Sequence, residues 1–174
     1  MINVNFRVVG IYLGCFPGDP NSATGQITVQ VNDNPTVYDV MKAVALKVAS
    51  GGFPGVELFG FNPSPASQGQ EIQSISVEYS VKPRKNRPYA PGVYILEDSR
   101  GSNPNRVLQY YIMDANGVQK NRNNDTAVFT LPPDVPIVDG DTVLWRQVSI
   151  CMGPNGGFRS TSLAKRSLER MKKS

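Results

Sequence analysis

The chain opens on strict alternation. Val4, Phe6 and Val8 are interleaved with Asn3, Asn5 and Arg7, the period-two pattern of a strand with one wet face, and a strand is expected from Ile2 to Leu13. Cys15 to Thr24 reads CFPGDPNSAT, a turn-rich connection. Ile27, Val29 and Val31 then share one face of a second strand, Gln26 to Val31. The two are expected to pair as an antiparallel hairpin with a long loop.

The period then changes. Val37, Val40, Met41, Val44 and Val48 fall at i, i+3, i+4, i+7 and i+11, the apolar stripe of a helix. Thr36 is placed to cap it, with Asp39 three residues on as a short-armed capping box. The alternative start has Asn34 as cap and Pro35 in the first helical position. Gly51-Gly52 ends the helix.

From Phe53 to Gln70 the pattern is irregular, with Pro54, Gly55, Gly60, Pro63, Pro65 and Gly69, and residues 52–73 are expected as an inserted loop. Ile75, Val77, Tyr79 and Val81 alternate with Ser74, Ser76, Glu78 and Ser80, a half-buried strand. A basic loop at residues 82–91 leads to a strand at Val93 to Leu96. An aromatic strand after Val107 reaches the turn Asn116-Gly117 and a second strand is expected beyond it. The turn Asp139-Gly140-Asp141 then introduces a last strand carrying the only tryptophan, Trp145. The expected fold class is α+β: a β-rich domain over residues 1–152, its mixed sheet served by one principal helix, followed at 153–174 by a Gly-rich tether and a short basic helix or tail.

Three segments, in order, carry a resemblance: TVYDVMKAVA from Thr36, YYIMDANGV from Tyr110, and IVDGDTVLWRQ from Ile137. Together they resemble the β-grasp domains called DUF4430, related to the C-terminal domain of transcobalamin and to the soluble-ligand-binding β-grasp group. Members share a helix start, an aromatic hairpin closing on Asn-Gly, and a final Asp-Gly-Asp strand, matched here at Thr36–Met41, Tyr110–Gly117 and Asp139–Trp145. The resemblance implies a β-grasp fold and, in that family, a small-ligand site. The chain departs from it by a long connection between helix and closing strands, by a basic segment after the last strand, and by an N-terminus that reads as a strand instead of an export signal. The fold hosts carriers, ligand binders and assembly modules alike, so it does not choose among them.

Composition narrows the chemistry. The chain has no histidine, which removes the usual general base near neutral pH, the Ser-His-Asp relay and the commonest metal ligand. Cys15 and Cys151 stand far apart and outside any CxxC spacing, and are expected as reduced, partly buried thiols, with a disulfide as the alternative if the two meet in space. No metal, no cofactor and no catalysis are expected. No apolar run approaches the ~20 residues that a bilayer span requires, and a cytoplasmic location is the default. The formal net charge is +4, yet Phe158 to Ser174 holds six basic residues and one acid (6 − 1 = +5), leaving −1 for the rest. Positive charge is a property of the tail, and it speaks to partners.

Each candidate site has an ordinary alternative. Asp139-Gly140-Asp141 supplies paired carboxylates for a cation, or a turn whose aspartates bond their own backbone. Tyr110, Tyr111 and Trp145 offer a ligand platform, or cross-strand packing; adjacent tyrosines face opposite sides of a strand. Lys82, Arg84, Lys85 and Arg87, with Tyr89, form a basic loop suited to an acidic protein surface or phosphate, or a solvated hairpin tip. In the tail, Ser162 is placed as a cap and Ala164, Leu168 and Met171 share a stripe beside Leu163, surrounded by Arg159, Lys165, Arg166, Arg170, Lys172 and Lys173. Such a segment is too short to hold as a helix alone, and is expected to dock on a protein groove, an anionic surface or nucleic acid. Gly156-Gly157 also resembles the diglycine of ubiquitin-like modifiers, with processing at Gly157 as a remote alternative. The expectation is a non-catalytic adaptor or assembly subunit, binding a protein partner or its own copies through loop and tail. A small-ligand module using the Tyr/Trp face, and nucleic-acid binding, stand as alternatives.

Overall fold

The computed structural model describes residues 1–9, 26–53, 56–63, 71–79, 92–98, 105–121, 129–152 and 158–160. The alternating N-terminus forms β1 (Ile2–Val9), and Ile27–Val31 forms β2. They pair antiparallel, with Ile2 opposite Val31 and Phe6 opposite Ile27. Val4, Phe6, Val8, Ile27, Val29 and Val31 are all buried. The helical stripe forms α1 (Val37–Ala49), burying Val37, Val40, Met41, Val44 and Val48.

Thr36 is the cap, not Asn34. The Thr36 hydroxyl accepts the Asp39 N–H at 3.1 Å and the Asp39 carboxylate accepts the Thr36 N–H at 3.0 Å, closing the capping box. Burial alone would raise the Asp39 carboxyl, but hydrogen bonds from Thr36 and the Lys42 ammonium outweigh it and hold the group below its ordinary value. The helix stops where Gly51 takes φ +73° and the Gly52 N–H donates to the Lys47 carbonyl at 2.9 Å.

The remaining strands are β3 (Val56–Pro63), β4 (Ile72–Tyr79), β5 (Gly92–Glu97), β6 (Asn105–Met113), β7 (Thr142–Met152) and β8 (Phe158–Ser160). β7 lies parallel to β1, with Asn5 opposite Thr142 and Val9 opposite Arg146, and β6 runs antiparallel along the far edge of β7. One sheet therefore reads β2-β1-β7-β6, and a second reads β3-β4-β5. β8 pairs with the end of β7. Ile150 already faces Asn105 of β6, so β8 must occupy the opposite edge of β7. The two sheets share one core, in which the Phe6 and Phe59 rings meet edge to face at 5.4 Å.

Two expectations are corrected. Residues 52–73 are not simply a loop, because Val56–Pro63 is a strand. A register shift between Val56 and Leu58 breaks the alternation, so Val56, Phe59 and Phe61 turn inward out of step and the period is hidden. Gly60, read as a breaker, lies within the strand: a Cβ there would sit 2.9 Å from the Ser76 hydroxyl. After Asn116-Gly117 the chain forms the bridge Met113 with Gln119, the expected second strand then runs into residues 122–128 outside the described residues, and β6 pairs along its length with β7. The Asn121 side chain accepts the Ile112 N–H at 2.9 Å and donates to the Tyr110 carbonyl at 3.3 Å. Finally, the tail begins inside the sheet, since Phe158–Ser160 is β8.

Val81, the basic loop from Lys82 to Tyr89, Cys15 and the tail beyond Ser160 lie outside the described residues, as do the side chains of Cys151 and Arg159. Among the described residues no helix is long and apolar enough to cross a membrane.

Candidate functional site

The Asp139-Gly140-Asp141 turn is built into the seam between β1 and β7. Gly140 takes φ +83°, which a turn needs and a side chain would resist. The Asp139 carboxylate accepts the Asn3 backbone N–H at 2.7 Å and its side-chain amide at 3.2 Å. Asp141, only 2% exposed, accepts the Val138 N–H at 2.9 Å and pairs with the Lys120 ammonium, which also donates to the Pro136 carbonyl at 3.0 Å. Both carboxylates are engaged by the protein itself. Among the described residues no group of three or more His, Cys, Asp or Glu side chains gathers in a way that could hold a metal ion.

The aromatic trio divides as strand geometry requires. Tyr110 stands opposite Trp145 in register and their rings meet edge to face at 5.5 Å. Trp145 has no exposed surface and also meets Phe129 at 6.2 Å. Tyr111 is on the other face, its hydroxyl donating to Gln109 at 3.0 Å and its ring 5.8 Å from the Arg146 guanidinium. Burial, then the charge of Asp134, raises the Tyr110 phenol above its ordinary value. An indole without exposed surface presents no face to an arriving ligand, so Trp145 serves packing with Tyr110 against it, while Tyr111 stands half-exposed on the other face. Phe129 was not legible: it lies outside any strand, yet it is fully buried against Tyr38, Phe61 and Trp145, its carbonyl accepting the Tyr38 N–H at 2.8 Å.

The surface feature that stands out belongs to the three-stranded sheet. On its outer face Leu58, Val93 and Ile95 are 49%, 56% and 54% exposed. Leu58 and Val93 flank Glu78 in one cross-strand row, and Ile95 stands beside Ser76 in the next. The sequence carried a signal for this, because Val93-Tyr94-Ile95-Leu96 is a continuous apolar run where a one-sided strand would alternate. The basic loop joins the same sheet: Tyr79 and Gly92, which bound residues 80–91, pair with each other. The strands that the loop connects thus belong to the sheet that carries the apolar strip, while the tail follows β8 of the other.

No family model, curated protein or solved structure matches this chain.

Proposed function

We propose that the chain is a non-catalytic binding module of β-grasp type, acting in the cytoplasm as an adaptor or assembly subunit. The strand order β2-β1-β7-β6, with a central parallel pair and α1 packed against β1 and β2, supports that fold, the three-stranded sheet being an insertion between helix and closing strands. The partner is a protein with an acidic surface and an apolar spot. Lys82, Arg84, Lys85 and Arg87 set orientation and on-rate, Leu58, Val93 and Ile95 supply apolar contact, and the tail with Lys165, Arg166, Leu168, Arg170 and Met171 adds a second hold. The observation that carries this is the exposed apolar strip on the sheet to which the basic loop is joined. Scattered exposed apolar residues are ordinary, whereas neighbouring ones on a sheet whose connecting loop is strongly basic support an interaction site.

Light scattering after size exclusion tests the proposal on full-length protein, on a chain ending at Ser160 and on a loop variant with all four basic residues changed to Ser. Ending at Ser160 keeps β8; ending at Gly157 would remove a strand and confuse folding with binding. The expected result is that full-length protein assembles or retains a partner, and that each variant is a folded monomer. Identical, partner-free monomers in all cases would overturn it. Nucleic acid that co-purifies and leaves at high salt would assign the basic surface to that partner instead.

A further inference from the structure

Among the described residues no strand pairs with the outer edge of β2, which borders the flank of α1. Asn3 and Asn5 direct their backbone groups toward the Asp139–Asp141 turn: the Asn5 N–H donates to the Asp141 carbonyl at 2.8 Å, and the Asn3 carbonyl accepts the Gly140 N–H at 2.9 Å. Gln30 and Thr28 stand opposite them in register. Directly opposite residues of an antiparallel pair point their backbone groups either at each other or away. Thr28 and Gln30 therefore point theirs off the sheet. The Thr28 carbonyl accepts from the Lys47 ammonium at 2.7 Å. The Thr28 N–H and both backbone groups of Gln30 have no partner among the described residues.

A groove runs beside this edge. One portion, about 470 Å³, is lined by Thr28, Gln30, Ala43 and Lys47; the next, about 390 Å³, shares Gln30 and Ala43 and adds Lys42 and Leu46. Leu46 is 72% exposed at its rim. The other charges here are matched: Lys42 pairs with Asp39 at 3.1 Å and Asp33 with the N-terminal amine at 3.2 Å. Lys47 has no carboxylate partner among the described residues.

We propose that this groove takes an extended acidic and apolar segment of a partner protein as an added strand on β2. Main-chain hydrogen bonds to Thr28 and Gln30 give affinity, and alternate side chains give specificity. An apolar side chain of the peptide lies on Ala43 and Leu46. A neighbouring carboxylate takes the Lys47 ammonium, which leaves the Thr28 carbonyl free for a peptide N–H. A second copy of this chain fits poorly, since Gln26–Asn32 brings no carboxylate to Lys47, and the basic C-terminal tail has the wrong charge. The groove is distinct from the loop and tail invoked above, so either proposal can fail without the other.

The test is an amide chemical-shift titration of labelled full-length protein with an acetylated peptide of alternating valines flanked by aspartates. The control is the same peptide N-methylated at alternate amides. Shifts are expected on β2 and the facing flank of α1, with the N-methylated peptide inactive. Leu46→Asp and Lys47→Glu, both outside the core, should each weaken binding by about tenfold or more, with their spectra otherwise unchanged. No shifts at millimolar peptide, shifts centred on residues 82–89, or equal binding by Lys47→Glu or the N-methylated peptide each overturn the proposal. Concentration-dependent shifts on β2 without peptide assign the edge to a second copy and overturn it too.

Discussion

The two sheets solve the same problem by different routes. The larger sheet is held together across the whole chain: Asp139 bonds Asn3 over a separation of 136 residues, and β7 lies parallel to β1. The smaller sheet is a local meander, β3-β4-β5, each strand pairing with its neighbour in sequence. Their outer faces differ as well. The larger sheet turns Asn3, Asn5, Thr28, Gln30 and Arg146 outward, as a sheet wet on one side should, while the smaller exposes Leu58, Val93 and Ile95. Both sheets bury residues in one core, so what separates them is the outer face, polar on the first and partly apolar on the second.

The largest effects test whether the sheets depend on one core. Trp145→Ala in the larger sheet and Ile75→Ala in the smaller remove fully buried side chains, and each should cost about 3–4 kcal/mol. Both should lower one cooperative thermal transition followed by circular dichroism and fluorescence. Two separate transitions would break the picture of a shared core.

Asp141→Ala probes the long-range seam alone. It leaves the partly exposed Lys120 with only the Pro136 carbonyl and the Val138 N–H without its acceptor, at a cost of about 2 kcal/mol in urea unfolding. Hydrogen exchange should then quicken first in β1 and β7 and later in β3-β4-β5. Uniform quickening would erase the distinction between seam and meander.

A smaller effect comes from pH. The folded Tyr110 phenol titrates above its unfolded value, because burial and Asp134 disfavour the phenolate. Its contribution to stability is therefore complete below the unfolded value of about 10 and is lost as pH rises through the folded one. Melting temperature should fall across that alkaline range, and Tyr110→Phe should flatten the fall. An unchanged slope in the variant would remove Tyr110 as its source.

The smallest effect on stability belongs to the outer face of the smaller sheet. Val93→Thr with Ile95→Thr keeps β-branching and should shift stability by only about 0.5 kcal/mol. Association in light scattering should nonetheless weaken. A large loss of stability would mean that the strip is part of the core.

Legibility followed range. The capping box at Thr36 and Asp39, the stripe from Val37 to Val48 and the stop at Gly51 each depend on residues a few positions apart, and all appear as the pattern indicates. So do the β1–β2 hairpin and the strands around Ile75 and Val93. β3 was hidden because a register shift displaces its inward residues from strict alternation. The candidate surface was half legible: the basic loop is plain in sequence, but the apolar strip depends on which face of β5 meets the core.

Sequence alone thus determined the local elements, the absence of histidine chemistry and the concentration of positive charge in the tail, because steric period, capping and composition are properties of neighbouring residues. Tertiary structure decided that β7 lies beside β1, that the Asn121 side chain bonds the backbone of β6, that Phe129 enters the core and Trp145 has no wet face. It also decided that the β2 edge is left beside a groove on α1. Those outcomes rest on contacts between segments far apart in the chain, where each side chain's partner is set by the burial it shares with residues no local pattern contains.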